Sequence, residues 1–208
     1  MYYTKRQIEL VEFSEMVYHN GLRHKAINGS LYEDKLIRYL RNDIKEFSFF
    51  KGQIKDNYST SLQYDIIICR KETIQLDFLK NVNEVINIVD RKDCYGVIEL
   101  KKWGNPKMLD ENGKIKESYV IFKNKFPELK YFFVCLRFKD RKLNKNNWFS
   151  LETQLKTDGN FCFFGNVGNQ EWKFPWNENQ KLIEDNKHYF GEYKKLIDEI
   201  KNVAQQGV

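Results

Sequence analysis

Histidine, cysteine and proline are scarce in this sequence of 208 residues, which contains 3, 4 and 3 of them. The cysteines form no Cys-x-x-Cys pair and the histidines are scattered along the chain, so the spacing does not indicate a zinc site. Cys69 and Cys135 lie in apolar runs, and Cys162 lies among phenylalanines. We expect buried free thiols, which suit a reducing cytosol.

Long apolar stretches are also missing. No run approaches the roughly 20 residues that a membrane-spanning helix needs. The first residues lead into a polar helical pattern rather than a signal peptide. No glycine-rich phosphate loop is visible, which argues against nucleotide hydrolysis of the P-loop kind. The sequence therefore predicts a cytoplasmic protein with no membrane partner.

What the chain does have is apolar and aromatic material for a core. Hydrophobic residues make up 41% of it and aromatic residues 15%, which argues against disorder. The net charge of +6 is compatible with an anionic partner, although the bias of an AT-rich genome explains it equally well. The length predicts one domain spanning residues 1–208, with a core at about 30–138 and a C-terminal extension at about 139–208.

Capping signals predict two helices before the first strand. Thr4 with Gln7, and Ser30 with Glu33, form capping boxes ahead of apolar residues at helical spacing. Residues 19–29, between these two helices, are expected to form a loop.

Apolar runs between turn signals predict a sheet in the middle of the chain. Strands are expected at 47–56, 62–70, 95–101 and 131–138, with a turn at 59–61 and a helix at 115–126. Residues 72–93 are ambiguous and include a candidate short edge strand at 85–89. A hairpin at 161–174 and a C-terminal helix containing Tyr193 are expected to follow. The predicted fold class is therefore α/β, with a core order of helix, three strands, helix, strand.

Ionisable residues stand within two of the predicted strands. Asp65 opens the run 65–69, while Glu99 and Lys101 close the run 95–101. Ionised groups among buried strands cost several kcal/mol unless they are compensated, and two carboxylates about 4 Å apart repel by roughly 4 kcal/mol at an effective dielectric near 20. A divalent cation and a lysine would remove that penalty. If the two strands are neighbours, these three side chains can converge on a Mg²⁺ or Mn²⁺ ion, with the Leu100 carbonyl as a further oxygen ligand.

The Glu-x-Lys pattern by itself carries no information, because the chain contains six copies of it. Only Glu99 has both an apolar strand around it and an earlier acid in a second apolar strand. The competing interpretation is that Glu99 and Lys101 mark a strand leaving the core and that Asp65 marks a strand entering it.

Three segments carry a resemblance to a known superfamily. Residues 52–56 (GQIKD), 61–68 (SLQYDIII) and 97–101 (VIELK), preceded by a helix containing Glu33, resemble the PD-(D/E)xK nucleases. The closest likeness is to an uncharacterised bacterial branch with a GxIxD…SxQxDxxI…VIExK layout. The resemblance covers roughly residues 19–138, and one departure from it is that Tyr64, not proline, precedes Asp65.

This resemblance implies a restriction-endonuclease-like core, a mixed sheet flanked by helices. It implies metal ligands at Asp65 and Glu99 and a catalytic lysine at Lys101. It also implies an auxiliary acid at Glu33 and a polar active-site residue at Gln63. For Glu33, the alternative is that it serves only as the capping-box partner of Ser30.

Other candidate residues have a functional and an ordinary interpretation. Lys102 and Lys107, near Trp103, are candidates for contacts with a nucleic-acid backbone or belong to a solvated loop. The alternating aromatic residues at 172, 174 and 176 stack unpaired bases or pack a hairpin onto the domain.

Two hypotheses follow. The first is a metal-dependent nuclease that hydrolyses phosphodiester bonds in DNA, in a restriction or other defence setting, and that acts as a monomer or a homodimer. The second is a catalytically inactive nucleic-acid-binding module that keeps the same fold.

Overall fold

A computed structural model describes residues 2–19, 25–56, 59–73, 76–77, 87–108, 110, 112–138, 161–163 and 191–206. Its α-helices are α1 (Tyr2–His19), α2 (Lys25–Asp43), α3 (Lys114–Lys125) and α4 (Glu192–Gln206). Its strands are β1 (Phe47–Asp56), β2 (Ser59–Thr60), β3 (Tyr64–Arg70), β4 (Leu76–Asp77), β5 (Asn87–Asp90), β6 (Cys94–Gly104), β7 (Lys130–Phe138) and β8 (Phe161–Phe163). Two short 3-10 turns lie at Arg91–Asp93 and Pro106–Met108.

These strands form one mixed sheet in the order β4-β5-β1-β3-β6-β7-β8, with β2 paired to the end of β1. The three central strands, β1, β3 and β6, are antiparallel to their neighbours in this group. The outer pairs β1–β5, β6–β7 and β7–β8 are parallel. The sequence of α2, β1, β3, β6, α3 and β7 confirms the predicted α/β core, with its mixed sheet and flanking helices.

Apolar side chains pack on both faces of this sheet. On one face, β-strand residues such as Ile66 and Ile98 pack with α1, α2 and α4. On the other face, Ile67 and Val97 pack with α3, whose Phe122 is 1% exposed. Because side chains alternate along a strand, consecutive apolar residues feed both layers, which explains the unbroken apolar runs in β3 and β7.

Both predicted capping boxes are wrong. Helix α2 begins at Lys25, so Ser30 and Glu33 lie inside it rather than at its start, and the expected loop at 19–29 is helical from residue 25. Ser30 accepts a hydrogen bond from Lys51 instead.

The first capping box is wrong for the same reason, because helix α1 begins upstream of Thr4. The buried Gln7 side chain accepts the Tyr193 N–H at 3.0 Å, and it therefore caps the first turn of α4 across the core. Tertiary contacts have overridden two local signals.

Strand β1 is irregular at Gly52. The register with β3 shifts between Phe50 and Gly52, and Gly52 has a φ of 153°. A Cβ at this position would lie 1.9 Å from the carbonyl oxygen of Asn87 in β5. The close approach of β5 therefore requires glycine here.

Several predicted boundaries are corrected. Residues 59–60 are a short strand rather than part of a turn, and β3 begins at Tyr64 rather than at residue 62. Strand β5 is not the sheet edge, because β4 pairs with its outer side. The first strand of the predicted hairpin is present as β8, but it pairs in parallel with β7, and the second strand lies outside the described residues.

The C-terminal helix is confirmed, and four of its apolar residues are buried against α1 and the sheet (Tyr193, Leu196, Ile197 and Ile200). The four cysteines are buried free thiols, as the sequence predicted. Within the described ranges, no helix has the length and apolar character needed to cross a membrane.

Candidate active site

Asp65 and Glu99 lie side by side on adjacent central strands. The antiparallel register pairs Ile66 of β3 with Ile98 of β6, so one further step along the ladder places Asp65 opposite Glu99. The Asp65 side chain is 25% exposed and that of Glu99 is 19% exposed. Two residues 34 positions apart in the printed sequence thus form a partly buried acidic pair.

Lys101 joins this acidic pair. It follows Glu99 by two residues on β6, so both side chains leave the same face of the strand. Its Nζ forms an ion pair with the Glu99 carboxylate and lies 3.9 Å from Oδ2 of Asp65. The structure therefore brings together the two acids and the amine that the sequence singled out, and their catalytic roles stay predictions.

The backbone of β6 orients Asp65. The Leu100 N–H donates a hydrogen bond to Oδ2 of Asp65 at 2.8 Å. This leaves the rest of the carboxylate available to other partners. The Leu100 N–H is thus an orienting contact.

Burial and charge both act on this acidic pair. Burial raises the pKa of Asp65 to about 7, and the Glu99 charge acts in the same direction, while Lys101 and the Leu100 N–H oppose it. Burial by itself lowers the pKa of Lys101, but the charges of Glu99 and Asp65 outweigh it and raise that pKa. Lys101 therefore stays an ammonium group while Asp65 is poised to lose its proton near neutral pH.

Tyr131 of β7 belongs to the same electrostatic neighbourhood. Its pKa is raised by burial and, to a lesser degree, by the charges of Glu99 and Asp65. Its buried hydroxyl has no hydrogen-bond partner within the described residues. No sequence pattern indicated this residue, because a tyrosine inside the apolar run of β7 is predicted to be an ordinary core residue.

Glu33 reaches the site from α2 on the side opposite α3. Its carboxylate lies 3.2 Å from Nζ of Lys51, which also lies 2.8 Å from Asp34. Burial raises the pKa of Glu33, and the charge of Lys51 opposes it; Lys101 contributes in the same direction as Lys51. Sequence reasoning missed Lys51, although a lysine that follows Phe49 and Phe50 in a buried strand is a detectable signal.

A cavity of about 540 Å³ opens beside these residues. Its lining includes Glu33, Asp65 and Lys101 together with Tyr32, Lys102 and Trp103. Lys107, a predicted phosphate contact, is exposed in the 3-10 turn at 106–108. Gln63 is not brought into this cavity: it is exposed in the segment before β3, and its role stays a prediction.

A second cavity, of about 390 Å³, lies around Arg91. Arg91 forms ion pairs with Glu128 at 2.6 Å and with Asp56 at 3.1 Å. Asp56 is the acid of the segment at 52–56, so this part of the motif stabilises the turn before β6 rather than the candidate site. Arg91, Glu128 and Asp56 pair with one another, and we assign no chemistry to this cavity.

Comparison with known proteins supports the fold. No protein-family profile and no curated protein sequence matches the chain. Two solved structures of NucC do resemble it, both in their cAAA-bound form. The P. aeruginosa ATCC27853 protein is 11% identical, with a TM-score of 0.57 over 78% of this chain and 74% of that one. The E. coli MS115-1 protein is 13% identical, with a TM-score of 0.54 over 77% and 75%.

The chain shares the fold of NucC. At these identities the likeness concerns the fold alone, and it agrees with the restriction-endonuclease-like architecture that the sequence motifs implied. The roles of Asp65, Glu99 and Lys101 come from the site's own geometry and from the motif resemblance.

The donor set fits a hard divalent cation. Two adjacent carboxylates and a backbone carbonyl are the oxygen ligands that Mg²⁺ and Mn²⁺ prefer. The described ranges hold no cluster of three or more histidine, cysteine, aspartate or glutamate side chains arranged to bind a metal. Asp65, Glu99 and the Leu100 carbonyl would therefore leave several coordination positions to water or phosphate oxygens, as Mg²⁺ sites usually do.

Proposed function

We propose that this protein is a metal-dependent nuclease that hydrolyses phosphodiester bonds in DNA. The observation that carries the proposal is the convergence of Asp65, Glu99 and Lys101, from two adjacent central strands, beside an open cavity. An acidic pair that is partly buried next to a lysine is costly as mere structure, and it matches the needs of phosphoryl transfer.

Each group has a definite role in this proposal. Asp65, Glu99 and the Leu100 carbonyl would hold Mg²⁺ or Mn²⁺, which lowers the pKa of a bound water and neutralises charge on the phosphate. Lys101 orients the attacking water or stabilises the developing negative charge. The water oxygen bonds to phosphorus as the bond from phosphorus to the 3′ oxygen breaks. The products are a 3′-hydroxyl and a 5′-phosphate.

The proposal also includes a cellular setting. A restriction or other defence role in the cytoplasm rests on the superfamily resemblance, and the four free thiols suit a reducing compartment. Cleavage of both strands of DNA would be served by a homodimer, since each copy carries one site.

One observation favours the second candidate, a binding module without activity. Lys101 already pairs with Glu99, and Lys51 already pairs with Glu33, so the fold satisfies these carboxylates without a metal ion. An inactive descendant of a nuclease could keep such ion pairs for stability alone.

An activity assay with matched variants separates the two candidates. Wild type and the variants Lys101→Ala and Lys194→Ala are incubated with plasmid, single-stranded DNA and RNA in Mg²⁺ or Mn²⁺. Lys194 is a suitable control because it also lies in a Glu-x-Lys triplet but is exposed on α4, where it pairs with Asp198. We expect Lys101→Ala to lose at least about 100-fold in cleavage rate and Lys194→Ala to match wild type. Binding without cleavage by the wild-type protein would favour the inactive module.

A further inference from the structure

Trp103 stands in line with the candidate catalytic side chains. Glu99, Lys101 and Trp103 alternate along β6 and share one face of it, since their partners on β7 follow an unbroken register. At about 3.3 Å per residue, the Cα of Trp103 lies about 7 Å along the strand from that of Lys101. Trp103 is 41% exposed and lines the same cavity as Asp65 and Lys101.

Arg137 holds the indole in place. It is the register partner of Trp103 on β7, and its guanidinium carbon lies 4.2 Å from the centre of the indole ring. Arg137 itself is only 5% exposed. A cation over the ring restrains the indole of a residue that is partly exposed and lines the cavity. Trp103 therefore has the properties of an ordered aromatic platform.

Lys102 supplies a positive charge to the same cavity from the other side of β6. Its Nζ lies 5.5 Å from the centre of the Tyr32 ring, and both residues line the cavity. The cavity therefore offers an ammonium group and an aromatic plane next to the acidic pair. These are the two features that bind a nucleotide, one for the phosphate and one for the base.

We propose that Trp103 stacks on an unpaired base next to the phosphate that is cut, with Lys102 contacting a neighbouring phosphate. This rests on the proposed nuclease function and names its substrate class: single-stranded or locally opened nucleic acid. In an intact duplex both faces of each base are covered by neighbouring bases, so an indole reaches a base only at an end, in a single strand or after base flipping. The cavity volume of about 540 Å³ lies in the range of single small-ligand pockets.

Binding measurements test the proposal independently of cleavage. Fluorescence anisotropy of a labelled oligonucleotide in EDTA gives the Kd of wild type, Trp103→Ala and Trp103→Phe for a single strand and for the matching blunt duplex. We expect Trp103→Ala to weaken single-strand binding by about 5- to 100-fold, with Trp103→Phe close to wild type and duplex binding changed less than about threefold. The control is Ile121→Ala, which removes exposed apolar surface from α3, away from the cavity.

An abasic substrate extends the test without relying on the folding of a variant. A single abasic position is moved along the strand. At one position, the wild-type affinity should fall by about the same factor as the affinity lost in Trp103→Ala. At that position Trp103→Ala should have little further effect. Equal losses for single strand and duplex, no loss in Trp103→Ala, or no sensitive abasic position would overturn the stacking proposal.

These outcomes are separate from those of the nuclease proposal. If binding depends on the Trp103 ring but the protein cleaves no substrate, the nuclease proposal is wrong and the stacking proposal stands. If the protein cleaves nucleic acid at a rate that neither Trp103→Ala nor the abasic position changes, the nuclease proposal stands and the stacking proposal is wrong.

Discussion

The backbone N–H of Leu100 donates a hydrogen bond to Oδ2 of Asp65 at 2.8 Å, so the strand that carries Glu99 and Lys101 also orients the acid opposite them. This bond from a main-chain N–H of β6 to a side chain of β3 holds one carboxylate oxygen of Asp65 next to the strand that carries Glu99 and Lys101. Because the bond is to a backbone group, side-chain changes at position 100 leave it in place.

Asp65→Asn should stabilise the metal-free protein above neutral pH. Burial is the main cause that raises the folded-state pKa of Asp65 to about 7, from the ordinary carboxyl value of 3.8. The folded state therefore binds a proton that the unfolded state has lost, and wild-type stability falls as pH rises between about 4 and 7. We expect the free energy of unfolding of Asp65→Asn to lack this slope and to exceed that of wild type by about 1–3 kcal/mol at pH 8.

Urea unfolding in EDTA at pH 5, 6, 7 and 8 measures this difference. Parallel stability curves for the two proteins would show that burial of Asp65 does not perturb its ionisation.

Mg²⁺ or Mn²⁺ should raise the melting temperature of the wild-type protein. A ligand at 100 times its Kd stabilises by about 2.7 kcal/mol, which corresponds to roughly 5–10 °C for a chain of this size. Glu99→Gln should lose most of this shift, since it removes one charged ligand, whereas Lys194→Ala should keep it. An equal shift in Glu99→Gln would place the ion elsewhere.

Removing Lys51 should destabilise the protein through Glu33. Lys51 lies 3.2 Å from the partly buried Glu33 carboxylate, so Lys51→Ala leaves that charge without its closest cation. We expect a loss of about 1–2 kcal/mol, a smaller loss for Glu33→Gln, and a double variant that is more stable than the sum of the two predicts. A double-mutant cycle from urea unfolding measures the coupling, and strict additivity would show that the pair does not interact.

Gly52→Ala should disrupt the junction between β1 and β5. Its new Cβ would lie 1.9 Å from the Asn87 carbonyl oxygen, and the backbone there has a positive φ of 153°. We expect a loss of at least about 3 kcal/mol in stability. Gly191→Ala is the matched control, because an added Cβ there meets nothing within 4 Å. Similar melting temperatures for both variants would contradict the close approach of the two strands.

Strands β3, β6 and β7 were predictable because each is a dense run of apolar residues. A strand buried on both faces must be apolar at nearly every position, so the few charged positions in it stand out. That contrast made Asp65, Glu99 and Lys101 recognisable as candidate site residues from the sequence. The residue Gln63 had no such contrast, and it lies exposed before β3.

The start of α2 could not be predicted in the same way. Ser30 and Glu33 carry a good local capping signal, but Lys51 from β1 binds Ser30, and the helix continues upstream to Lys25. Local propensities are worth about 1 kcal/mol or less per residue, which a few tertiary contacts outweigh.

The sequence by itself determined the α/β order of elements and the residues that could not be ordinary core, because periodicity and burial of charge are properties of single segments. The tertiary structure decided which segments meet: that β3 and β6 are neighbours, that Lys51 reaches Glu33, and that Trp103 and Lys102 line the same cavity as Asp65. Strand order and register depend on contacts between residues far apart in the chain, and no local pattern encodes those contacts.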